Sequence, residues 1–100
     1  MTDKFLTNYD EFLAKFGLKT QVNIAIEEMS ELIKELCKFN RFQNNSDKVK
    51  DITENIREEI ADVLNMVEQL EYHFGVDKIE SIRQEKIKRT IDRMTKGGID

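Results

Sequence analysis

The chain has 100 residues, enough for one small domain, and is 39% hydrophobic and 36% charged. A formal net charge of −4 argues against a general nucleic-acid binder, and a single cysteine, Cys37, excludes an intramolecular disulfide and fits a reducing, cytoplasmic setting. No apolar run approaches 18 residues and no secretory leader is visible, so neither secretion nor membrane association is expected. So short and polar a chain buries little surface alone, which makes self-association an early expectation.

The first predicted helix covers residues 3–16. Phe5, Leu6, Tyr9, Phe12, Leu13 and Phe16 recur at the 3/4 spacing of one helical stripe and read as a core-packing face. Gly17 then marks a stop. A second helix is expected over 20–40 with Thr20 as its N-cap, followed by a polar loop over 41–50 that carries Asn44, Asn45 and Ser46. A third helix runs over 47–74; the capping-box spacing of Asp51 and Glu54 marks a place where it could break and restart. Gly75 separates it from a fourth over 77–95, where Asp77 and Glu80 repeat that spacing. The pair Gly97–Gly98 closes the last helix. There is no proline, and no segment shows the period-2 alternation of a strand. The expectation is a single all-α domain over 1–96 with a short tail at 97–100.

The second and third helices carry unusual acidic ladders. Successive helical residues turn by about 100°, so with Glu27 as origin Glu31 falls at about 40°, Glu35 at about 80° and Glu28 at about 100°. Val22, Ala25, Met29, Leu32, Ile33 and Leu36 gather on the other side. On the third helix Glu58, Asp62 and Glu59 share an arc flanked by Asn55 and Asn65, while Ile52, Ile56, Ile60, Val63, Val67 and Leu70 oppose it. A solvated face normally mixes signs. Here like charges stand at i, i+4 spacing, each pair costing roughly 0.2–0.5 kcal/mol in an isolated helix. Crowded carboxylates repel unless some are protonated or a cation neutralises them. An all-oxygen set suits Mg²⁺, Mn²⁺ or Ca²⁺ rather than Zn²⁺. Glu28 with Glu31, and Glu59 with Asp62, stand at i, i+3 and could each share an ion, which points to metal-assisted phosphate chemistry.

The segment Glu27-Glu28-Met29-Ser30-Glu31, then 27 residues, then Glu59-Ile60-Ala61-Asp62, resembles the EExxE…ExxD signature of the MazG-like, all-alpha nucleoside triphosphate pyrophosphohydrolases. The likeness extends over nearly the whole chain through the order of an aromatic helix, two acidic helices and a basic last helix. It implies a four-helix bundle completed by oligomerisation into a homodimer or homotetramer. It also implies Mg²⁺, with Mn²⁺ as a substitute, held by Glu28, Glu31, Glu59 and Asp62. Glu27 would orient or deprotonate the attacking water. Lys86, Arg89 and Arg93, on one face of a segment (82–96) with six basic and two acidic residues, would hold the phosphates. The reaction implied is NTP or dNTP plus water giving the monophosphate and pyrophosphate.

Ile24 lies inside the acidic arc of the second helix and Asn65 one turn beyond Asp62; both are candidate nucleotide contacts. His73 reads as a helix-terminus residue, Cys37 as a small core or interface residue, and Tyr72 as a packing residue. Two rival readings remain open. One is phosphoribosyl-ATP pyrophosphohydrolase, of similar size and acidic constellation. The other is a non-catalytic helical interaction module. A carboxylate-bridged di-iron protein would need paired Glu-x-x-His motifs, which one histidine cannot supply.

Overall fold

The computed structural model describes residues 11–97, and among these the chain is helical throughout, with no strand. Helix α1 is described over 11–16; α2 spans Leu18–Phe42, α3 Ser46–Phe74 and α4 Val76–Thr95. The stripe residues Phe5, Leu6 and Tyr9, and Gly98, lie outside the described residues. Two compact units are present, one ending at Leu70 and the other beginning at Glu71, so the boundary falls within the last turns of α3. No helix among the described residues is long and apolar enough to cross a membrane.

The breaks fall where glycine permits a backbone turn that L side chains resist. Gly17 and Gly75 have φ of 81° and 112°. Gly17 N–H donates to the Leu13 carbonyl and Gly75 N–H to that of Glu71, each closing the helix behind it. Gly17, not Thr20, stands at the N-cap of α2: the helix starts two residues earlier than expected, because the glycine stop leaves no connecting loop to cap. The predicted loop over 41–50 shrinks to 43–45. Asn45 is the reason. Its side-chain oxygen accepts from the backbone N–H groups of Asp47 and Lys48, at 3.1 and 3.2 Å, and so caps α3. Lys48 Nζ sits 4.3 Å from the centre of the Phe42 ring and ties the start of α3 to the end of α2. No break occurs near Asp51. Glu54 is instead paired with Arg57, one turn ahead on a continuous helix.

The α2/α3 pair departs from the expected burial. A helix pair ordinarily buries its apolar faces and leaves its charged faces open. The residues buried on α2 are Gln21, Ala25 and Glu35, and on α3 Ile52, Met66 and Gln69. Glu35 is only 7% exposed, while Ile33 is 61% and Leu64 57% exposed. Ile26, Leu36 and Ile60 are exposed as well, as are Phe12 and Phe16 of the aromatic stripe. α2 enters the seam along the border between its acidic and apolar arcs, and α3 along its acidic side. One partner helix covers only a narrow strip of a cylinder, and the apolar arcs here are too wide for a pair to bury. Ala25, at the centre of the strip, presents little bulk, and the acidic border enters with it.

Candidate metal centre

The turn at 43–45 reverses the chain, so positions retreating along α2 meet positions advancing along α3. Glu35 meets Asn55, and seven residues back Glu28 meets Asp62, seven residues on from Asn55. This register assembles the two halves of the acidic pattern. Glu28, Glu59 and Asp62 each offer a carboxylate oxygen, and these oxygens lie within 4.8 Å of one another. Ligands of an octahedral Mg²⁺ at about 2.1 Å stand roughly 3.0 to 4.2 Å apart, so only a small inward movement of the side chains would close the triad on an ion.

Electrostatics show the strain of this crowding. Burial pushes the Glu28 carboxyl above its ordinary value of 4.5; a hydrogen bond with Asp62 and the charges of Asp62, Glu59 and Glu27 push it further. Glu59 moves the same way, first by burial and then by the charges of Asp62, Glu31, Glu35 and Glu58. Glu59 Oε2 is buried and has no hydrogen-bond partner. A buried carboxylate oxygen without a donor is costly. A divalent cation held by the triad would offset the mutual repulsion, and three carboxylate oxygens at this spacing are a donor set that could hold one.

Beside the triad an open groove of about 260 Å³ is lined by Ile24, Glu28, Asp62, Asn65 and Met66. The candidate contacts Ile24 and Asn65 therefore share one concavity with two of the candidate ligands. Glu31 is exposed and stands outside the triad, yet its charge is felt at Glu59. Glu27 is exposed and its charge is felt at Glu28. Lys86, Arg89 and Arg93 belong to the other unit, on α4, where all three are exposed; among the described residues none is in an ion pair.

Sequence reasoning missed Met66 and Lys38. Met66 falls at about 80° from Glu58, inside the acidic arc of α3, which is the signal that singled out Ile24 on α2. Lys38 falls at about 20° on α2, the one cation two turns beyond Glu31 on the acidic face. Its ammonium is 3.2 Å from Glu35. His73 stacks edge-on against Phe74 at the end of α3, and Cys37 is exposed rather than packed in a core. Comparisons with protein-family models, curated proteins and solved structures give no match to this chain.

Proposed function

We propose that the chain is a Mg²⁺-dependent nucleoside triphosphate pyrophosphohydrolase of the MazG-like kind, converting NTP or dNTP and water to the monophosphate and pyrophosphate. The observation that carries this reading is the carboxylate triad drawn from both halves of the EExxE…ExxD pattern, one member of which, Glu59, also carries a buried oxygen without a partner. Glu28, Glu59 and Asp62, with Glu31 close by, would hold the ion. Bound there, Mg²⁺ would supply charge neutralisation at the phosphates and a more acidic water. Glu27, exposed beside Glu28, would orient that water and take its proton. Attack at the α-phosphorus breaks its bond to the bridging oxygen, and pyrophosphate leaves with that oxygen. Ile24 and Met66 offer an apolar wall to a base or sugar, and the Asn65 amide offers a donor and an acceptor. The resemblance alone would assign Lys86, Arg89 and Arg93 to the phosphates. The exposed Ile26, Ile33, Leu36, Ile60 and Leu64 would be covered by a second copy of the chain, which also fits the small size of the domain.

The test is pyrophosphate release across canonical and modified nucleoside triphosphates, with phosphoribosyl-ATP in the panel, in Mg²⁺ and in chelator. Monophosphate and pyrophosphate are expected in equal amounts, with Mg²⁺ only, and from nucleotides in preference to phosphoribosyl-ATP. No release from any of these substrates would defeat the proposal.

A further inference from the structure

Glu35 is a buried carboxylate that the triad does not use. One of its oxygens accepts a hydrogen bond from Asn55 Nδ2 across the helix pair at 3.3 Å, and the other holds the Lys38 ammonium at 3.2 Å. Both oxygens are thus satisfied by protein, in contrast to Glu59 Oε2 close by. Stability alone gives little reason for the arrangement. Burying a carboxylate costs more than a half-exposed i, i+3 ion pair returns. The Glu35 charge also adds to the repulsion at Glu59. What the arrangement achieves is placement. Asn55 fixes the carboxylate from α3, and the carboxylate fixes a lysine that otherwise has four freely rotating carbons.

Lys38 lies on the acidic face of α2, ten residues or about 15 Å of rise beyond Glu28 of the triad, with Glu31 and Glu35 between them. A helical side chain leans back towards the N-terminus, so its ammonium is drawn towards Glu35 and the carboxylates before it. Its side chain is 37% exposed, and Glu35 occupies only one of its three donors. The groove lined by Ile24, Asn65 and Met66 lies on the other side of the carboxylates along α2. We infer that Lys38, aimed by Glu35 and Asn55, contacts the terminal phosphates of the nucleotide, which binds with its base towards Ile24 and Met66 and its phosphate tail towards the turn at 43–45. This inference rests on the pyrophosphohydrolase reading. Lys38 is the phosphate-contacting group, and Glu35 and Asn55 are positioning residues.

Inorganic tripolyphosphate with Mg²⁺ probes the contact without a base or sugar, and Mn²⁺ alone probes the carboxylates. In calorimetry, Lys38→Met weakens tripolyphosphate binding by about tenfold or more, the usual effect of losing a charge-assisted hydrogen bond, while Mn²⁺ affinity holds; the thermal midpoint falls, because Glu35 is left buried without its cation. Lys38→Arg restores binding to within about threefold, and Glu35→Gln gives an intermediate loss. In turnover, Lys38→Met raises KM for triphosphates more than it lowers kcat. Unchanged tripolyphosphate binding in Lys38→Met overturns the inference while leaving the metal centre standing. So does a fall in Mn²⁺ affinity as large as that in tripolyphosphate affinity, which marks a structural role. A wild-type chain that takes up no Mn²⁺ overturns the metal centre first, and this inference with it.

Discussion

The two sides of the α2/α3 pair invite comparison. Along the seam lie Gln21, Glu35 and Gln69, buried, with Glu28 and Glu59 half-buried beside them. On the far sides lie Ile26, Ile33, Ile60 and Leu64, turned outward. A pair built for its own stability would be arranged the other way, because each exposed branched side chain forgoes about 1.5–3 kcal/mol of burial. The seam also holds two partnerless buried oxygens, Glu59 Oε2 and Gln69 Oε1. On the proposed reading, the polar groups enter the seam beside Ala25, Ile52 and Met66 for the ion they would bind, and the outer faces would draw stability from a second copy.

The sharpest way to break this contrast is to remove charge from the seam. Glu59→Gln keeps shape and deletes the negative oxygen. Pyrophosphate release should fall at least about hundredfold, as expected when a ligand carboxylate is lost, while the chelated protein melts no lower than wild type. A matching loss of activity and melting midpoint would make the seam structural. Next in size is the outer face. Ile33→Glu with Leu64→Glu should reduce a species heavier than one chain to the monomer in sedimentation, and lower its thermal midpoint; an unchanged sedimentation coefficient would refute a second copy on that face.

A smaller effect separates protons from metal. Glu28 and Glu59 hold their protons above the ordinary 4.5 in the folded chain. Between 4.5 and those raised values the folded state keeps protons that the unfolded state has released. Their contribution to stability is therefore full below 4.5 and is lost as pH rises through the raised values. Mg²⁺ competes with the same protons, so its stabilising effect should grow with pH over that window. Denaturant melts with and without Mg²⁺ should diverge as pH rises; curves that stay parallel would remove the link. The smallest effect is expected at the turn that joins the two helices. Asn45→Ala should cost about 1 kcal/mol, as an N-cap does, with Mn²⁺ affinity unchanged.

Much of this was legible in the sequence. Gly17 and Gly75 divide the described helices where their positive φ demands, and the 3.6-residue period gave the acidic arcs on α2 and α3. Glu28, Glu59 and Asp62 were named from spacing, and the structure brings them within reach of one another. The direction in which the arcs face was not legible. A helical wheel ranks residues by angle but does not say which strip meets a neighbour, and here the border strip around Ala25 won over the apolar centre. Asn45 reads as loop in the sequence because Asx capping and loop composition use the same residues. Lys38 does not stand out in the sequence, because one of three lysines on a charged helix looks like surface until Glu35 is seen buried beneath it.

Mn²⁺ titration followed by electron paramagnetic resonance, on wild type and on Glu59→Gln, tests the central claim most directly. The account predicts saturable uptake by the wild-type chain, displaced by Mg²⁺ and lost in Glu59→Gln. Free-ion signal at every protein concentration in wild type, or undiminished uptake in Glu59→Gln, would contradict it.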